Sequence, residues 1–201
     1  MTDRQVHEQT TAYSSPWSRG ARVRMAVWWT LEGVLYRWSP KPFSGWRARV
    51  LRWFGAKIGR DVFLSETSRV RLPWHLEMGD NTCLGEHTEV YNLGRVIVED
   101  RATVAQHVYL CAGTHDFEQE HRPLVTAPIV IGEDAFIGAK VIILPGVKIG
   151  AGCIIGAGSV VTKDTKPWHI YAGNPARLIR ERPVPRPRDT PQASDRPDDP
   201  A

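Results

Sequence analysis

The chain has only three cysteines in 201 residues. Three thiols cannot all pair, and Cys83, Cys111 and Cys153 fall at different places of the repeat described below, which argues against a disulfide scaffold. Free thiols fit a reducing compartment, so the expected location is cytoplasmic. Long apolar runs are missing where the chain is richest in tryptophan. Between residues 19 and 55 the longest uncharged run is the seven residues 25–31, far short of the roughly 20 that a membrane span needs. The first ten residues, MTDRQVHEQT, lack the apolar centre of a secretion signal, and nothing in them predicts export. Charge of one sign does not dominate either. The formal charge is +4, and the basic residues concentrate in 19–60 and 163–188. No nucleic-acid recognition motif accompanies them, so a nucleic-acid partner is not expected.

What is present is a period of six from residue 58 to residue 166, and repeats are read first because they decide the architecture. The clearest stretch is IGEDAF, IGAKVI, ILPGVK, IGAGCI, IGAGSV, VTKDTK, beginning at Ile131. Upstream, hexads open at Ile58, Leu64 and Val70, then Met78, Leu84 and Val90, then Val98, Val104 and Leu110. Stacked in threes, the openers form three columns, and all fifteen positions are aliphatic. Three short strands per turn, each bonded to the turn above at a rise of about 4.8 Å, make a triangular parallel β-helix of about five coils. A globular sandwich would show period two with variable turns instead. Glycines after the opener, such as Gly85 and Gly138, suit corners where a side chain would crowd or φ turns positive.

Around this solenoid the expected organisation is a flexible segment 1–18, a helical cap 19–55, the β-helix domain 56–182 and a proline-rich disordered tail 183–201. The domain holds a loop insert 116–130 and a C-terminal segment 167–182. The cap reads as two helices split at Pro40 and Pro42. Six of the eight tryptophans lie between residues 17 and 53. The preferred reading is a lid that plugs the first coil and packs on neighbouring subunits. The alternative is an interfacial helix pair making peripheral contact with the inner membrane.

Chemistry is expected where LCAGTHDFEQEHRPL closes the third coil and enters the insert, since long loops leaving a regular fold usually carry function. His115 closes its hexad at a corner and points outward, and its pKa range suits a general base. His87 and His107 share one hexad place in adjacent coils, so they should stack one strand spacing apart.

The segments GTHD, IVIGEDAFIGAKVIILPGVKIG, IGAGSVVTKD and AGNPAR resemble the hexapeptide-repeat O-acyltransferases, and within them the colanic-acid-biosynthesis-type acetyltransferases, relatives of the maltose, galactoside and nodulation-factor enzymes. WRARVLRWFGAKIG and YNLG also look like that subfamily, and the resemblance spans residues 22–182. It implies a left-handed coil, against the usual right-handed crossover, a homotrimer, and acetyl-CoA in a groove between subunits with no metal required. By the same resemblance His115 is the base that deprotonates a sugar hydroxyl in surface polysaccharide biosynthesis. Asn92 lies near the acceptor, and Asp116, also assigned to substrate binding, either orients a neighbouring histidine or leaves for solvent. Phe136 lines the pantetheine channel, Ala139 and Ala157 offer backbone groups to its amides, and Thr162, Lys163, Arg177 and Arg180 face the phosphates. No nucleophile motif for an acyl-enzyme is evident. Two alternatives stand beside this one. A zinc enzyme like the γ-class carbonic anhydrases would use His87 and His107, with His115 or His121 as third ligand. The other is a non-catalytic scaffold.

Overall fold

A computed structural model describes residues 4–184 except 8, 10, 12 and 13, so most of the expected tail lies outside the described residues. Hexads become strands of two or three residues, with the opener pointing in. All fifteen openers are buried, none more than 9 % exposed. In the first two columns the fifth residue of the hexad joins them inside, as Val62, Thr82, Ala102, Ala135 and Cys153 do at one corner. Sequence periodicity therefore becomes a core one coil thick and five coils long, in which each fully buried aliphatic side chain contributes about 1.5–3 kcal/mol.

The strands build three parallel sheets, which are the faces of a left-handed prism. The first face stacks Lys57–Ile58, Leu76–Met78, Val96–Val98, Ile129–Ile131 and Lys148–Ile149. The second runs from Phe63–Leu64 through Cys83–Leu84, Thr103–Val104, Phe136–Ile137 and Ile154–Ile155. The third runs from Arg69–Val70 through Glu89–Tyr91, Tyr109–Cys111 and Ile142–Ile143 to Val160–Val161. Register is in step throughout: Ile58 pairs with Met78, Leu64 with Leu84 and Val70 with Val90. A partial sixth coil continues the second face with His169–Ala172, against which Arg177–Glu181 folds back antiparallel.

The corner glycines follow one of the two expected reasons. Positive φ falls two places later, on His87, His107 and Lys140 at the second corner and on Asp61, Asn81, Arg101 and Asp134 at the first. The glycine after the opener is required by crowding. A Cβ on Gly85 would lie 2.7 Å from the Ala105 carbonyl carbon, and one on Gly138 2.7 Å from the Ala157 nitrogen.

A parallel stack leaves its first coil with unpaired backbone groups, and the N-terminal segment supplies their partners. In the second coil the carbonyls of Met78, Thr82, Leu84 and Val90 accept from the N–H groups of Gly59, Phe63, Ser65 and Arg71. The equivalent first-coil carbonyls face helix α1 (Arg19–Leu31), the π-helical turn Glu32–Arg37 and helix α2 (Ser44–Trp53). Arg52 Nε donates to the Ile58 carbonyl at 3.0 Å, Ser44 Oγ to Val62 at 2.7 Å and Arg47 Nε to Leu64 at 2.8 Å. Trp28 Nε1 donates to Val70 at 2.9 Å and Trp29 Nε1 to Arg71 at 3.2 Å. The Tyr36 hydroxyl reaches the Ser65 carbonyl, and burial raises its pKa above the usual phenol range. The Trp- and Arg-rich composition thus has a cause: an edge of acceptors needs side-chain donors. Arg47 is wholly buried, and its remaining nitrogens donate to the carbonyls of Pro40 and Lys41 and to Ser39.

The first eighteen residues are not uniformly flexible. Gln5–His7 forms a strand on Leu124–Thr126, which itself pairs with Gly113–His115, giving a three-stranded antiparallel sheet at the third corner. The expected insert loop is shortened accordingly, because Leu124–Thr126 is strand and Ile129 already belongs to the first face.

Trp28→Phe keeps most of the ring volume but leaves the buried Val70 carbonyl unpaired. The cost expected is about 1–3 kcal/mol, which should lower the melting temperature by roughly 3–10 °C. An unchanged melting temperature would show that the donor does not hold the edge.

Candidate active site

The third corner is where the regular coil breaks, and the break presents His115. The chain leaves the third face after Cys111, runs out through Gly113–His115, turns, and returns through Leu124–Thr126 to the first face. Gly113 packs closely at the exit, where a Cβ would meet the Leu93 side chain at 3.1 Å. His115 is exposed, and its Nδ1 lies 2.7 Å from the Arg122 carbonyl oxygen. A carbonyl can only accept, so Nδ1 carries the proton in the neutral ring and Nε2 keeps its lone pair. The hairpin therefore holds an outward-facing imidazole in the tautomer that a general base requires.

Asp116 is bonded within its own turn. Its carboxylate accepts from the Glu118 N–H at 3.1 Å and from Gln119 Nε2 at 3.0 Å, while its own N–H bonds to the Pro123 carbonyl. It shapes the turn that carries the Arg122 carbonyl to His115, and it contacts no histidine among these bonds. Asn92 is held in the wall of the coil. Its side chain is buried, with Oδ1 accepting from the Leu72 N–H at 2.9 Å and Nδ2 donating to the Leu72 carbonyl at 2.7 Å. It is a rung between the first and second coils, placed in the wall beneath the hairpin.

The residues expected to face the acyl donor lie elsewhere on the prism. Phe136 stands on the second face and is 44 % exposed, which is a large apolar surface for a strand position. Ala139 and Ala157 follow at the second corner, and the Ala139 carbonyl accepts from the Gly158 N–H at 2.8 Å. Thr162 and Lys163 are exposed at the third corner, two coils above His115. Arg177 and Arg180 are exposed on the terminal strand of the second face, each with a guanidinium bond only to a local backbone carbonyl. One chain thus brings His115 and Lys163 to the third corner and puts Phe136, Ala157 and both arginines on or beside the second face. It does not bring the two groups together.

His87 and His107 stack as their register predicts, with centroids 4.9 Å apart and planes at 18°. Among the described residues no group of three or more His, Cys, Asp or Glu is placed to hold a metal ion. Burial pushes the thiols of Cys83 and Cys153 above the ordinary cysteine range, which disfavours a thiolate nucleophile there.

Sequence reading missed the N-terminal strand and the cleft beside it. His7 Nε2 lies 3.1 Å from Thr126 Oγ1, and the Leu124 N–H donates to Gln9 Oε1 at 2.9 Å, so Gln5–His7 and Gln9 brace the hairpin from outside. A cavity of about 420 Å³ opens there, walled by His7, Trp17, Trp74, His75 and Arg95. A strand of three residues has no period to detect.

Comparison with known proteins now bears on this geometry. The family model of the bacterial transferase hexapeptide, six repeats, matches residues 128–163. The colanic acid biosynthesis acetyltransferase WcaF of Escherichia coli (strain K12) is 37 % identical over 163 residues, covering 81 % of this chain and 90 % of that protein. The chain belongs to the hexapeptide-repeat acetyltransferases. As such it is an acyltransferase. The galactoside O-acetyltransferase of the same organism is 36 % identical over 127 residues, 59 % of this chain and 63 % of that one. Among solved structures, a galactoside acetyltransferase in complex with coenzyme A superposes with a TM-score of 0.76 at 28 % identity, covering 83 % of this chain and 84 % of that chain. The maltose O-acetyltransferase of Clostridium difficile 630 gives the same TM-score at 24 % identity over 83 % of this chain and 90 % of that one, a likeness of fold.

Burial lowers the pKa of both His7 and His75 from 6.5, and each also feels a positive neighbour, His75 for the former and Arg24 and Arg95 for the latter. Both rings bind protons more weakly folded than unfolded, so the stability they contribute is complete above pH 6.5 and is lost as pH falls through their lowered values. The protection factors of the Leu124 and Thr126 amides, corrected for the intrinsic exchange rate, should fall below that pH, and a His7→Phe variant should lose part of the dependence. PH-independent protection would refute the assignment.

Proposed function

We propose that this acyltransferase moves an acetyl group from acetyl-CoA to a sugar hydroxyl in surface polysaccharide biosynthesis, with His115 as general base. The observation that carries the reading is the Nδ1 bond of His115 to the Arg122 carbonyl, which leaves Nε2 free at an exposed corner. The relatives support the substrate classes: one is named for colanic acid biosynthesis, another for a galactoside, and a structural neighbour contains coenzyme A. In the transfer, Nε2 takes the proton from the acceptor hydroxyl while that oxygen attacks the thioester carbonyl. The Nδ1–H stays bonded to the Arg122 carbonyl and keeps the ring oriented. The C–S bond breaks, and the imidazolium returns its proton to the departing sulfur. General-base assistance of this kind is worth about 100- to 10,000-fold, and positioning of the two substrates supplies much of the rest. A thioester needs no further activation by a metal, and none is required in this reading.

The division of residues between the third corner and the second face supports assembly as a homotrimer, in which the His115 corner of one subunit meets the Phe136 and Ala157 surface of the next. Lys163, Arg177 and Arg180 are exposed cations suited to the phosphates of the nucleotide, and Phe136 offers apolar surface to the pantetheine arm. Free thiols and a CoA-linked donor both favour the cytoplasm.

His115→Ala should lower turnover by at least about a hundredfold with the oligomer and acetyl-CoA binding intact. Near-normal turnover in the purified variant would reject the base. Lys163→Ala and Arg177→Ala should raise the KM for acetyl-CoA with a smaller effect on kcat, as lost uniform binding does. Thermal stabilisation by zinc but not by acetyl-CoA would favour the metal enzyme instead.

A further inference from the structure

The cap has two faces, and only one is spent on the solenoid. Helix α1 turns Met25 and Trp28 onto the first coil, where both are buried. At 100° per residue, Val23 and Val27 lie on the opposite side. They are 64 % and 46 % exposed, and Val34 and Trp38, in and just after the π-helical turn, are 69 % and 87 % exposed. Phe43 and Trp53 add apolar surface at the start and end of α2, at 55 % and 64 % exposed. A surface helix on a solenoid end is ordinarily polar outside. This one is apolar on both sides.

Charge decides what the outer side meets. Residues 19–54 hold eight Arg and Lys and a single acid, Glu32. Glu32 is half buried, and burial raises its pKa. Arg19, Arg22, Arg37 and Arg49 are exposed and enter none of the ion pairs found among the described residues. Two copies of this surface brought face to face would set these cations against one another with no exposed carboxylate between them. An anionic interface with an apolar interior satisfies both the cations and the indoles. No described helix is long and apolar enough to cross a membrane, so the geometry is that of lying on a surface.

We propose that the outer face of the helical cap docks on an anionic phospholipid bilayer, with Val23, Val27, Val34 and Trp38 entering the headgroup region and Arg19, Arg22, Arg37 and Arg49 pairing with lipid phosphates. The solenoid axis then stands away from the membrane. The inference rests on the cap alone and does not depend on His115 being the base.

The test is flotation of the full-length protein with vesicles of phosphatidylcholine, with and without phosphatidylglycerol. Binding should require phosphatidylglycerol and should be released as salt shortens the screening length from about 10 Å at 0.1 M to about 3 Å at 1 M. Each of Arg22→Gln and Arg49→Gln should weaken partitioning by about fivefold. Val34→Ser with Trp38→Ser should abolish it while leaving the melting temperature and the molecular mass in solution unchanged, because these side chains are exposed. Absence of binding to phosphatidylglycerol vesicles at low salt would overturn the proposal. So would a fall in molecular mass of the Val34→Ser, Trp38→Ser variant, which would show that the face joins copies of the chain.

Discussion

Everything in this molecule depends on backbone hydrogen bonds running from one coil to the next. Each strand is two or three residues long, too short to be stable alone, and is held only by the coil above and the coil below. The ladder has ends, and an end is a row of unpaired groups that would bind another chain or water. At the first coil these groups are mostly carbonyls, and they are met by Trp28, Trp29, Arg47, Arg52, Tyr36 and Ser44. Edge chemistry thereby dictates cap composition. The cap in turn leaves an unspent outer surface whose composition is apolar and cationic.

The same constraint explains where function can sit. Inside the prism every opener is buried and every corner is bound to its neighbours, so little can vary there. The place where a coil lets the chain out is free of that constraint. Between Cys111 and Ile129 the chain departs, forms a hairpin braced by Gln5–His7, and comes back in register, with Leu110 still paired to Ile143 above. The hairpin is held as part of a three-stranded sheet, and the Asp116 turn directs the Arg122 carbonyl at His115. An imidazole placed in this way stands on a scaffold and yet faces solvent.

The solenoid was legible because its signal is repeated: fifteen aliphatic openers in three columns leave one arrangement. The stacking of His87 on His107 followed from the same register. Long-range partners were not legible. Nothing in Gln5, Val6 and His7 announces a strand, since pairing with Leu124–Thr126 joins segments more than a hundred residues apart. The bonds of Asn92 to Leu72 and of Asp116 within its own turn were missed for a related reason. Polar side chains near a site are read as ligand contacts, whereas nearby protein groups compete for them first, a buried backbone for Asn92 and the turn's own donors for Asp116. The positive φ of His87, His107 and Lys140 was hidden too, because the crowding that selects glycine acts at a different place of the hexad.

The central claim is that one chain divides the site between its third corner and its second face, so that a complete site forms only between chains. Mixed oligomers of two inactive variants test it directly. One variant carries His115→Ala, and the other carries Ala157→Trp, which fills the exposed second corner. In a randomly assembled trimer, about a quarter of the interfaces pair an intact His115 with an intact second corner. Activity should therefore return to about a quarter of the unmutated level when the two variants are unfolded and refolded together, and not when they are mixed as preformed oligomers. No recovery in the co-refolded mixture, with the oligomer reformed and each variant alone inactive, would contradict a site shared between chains.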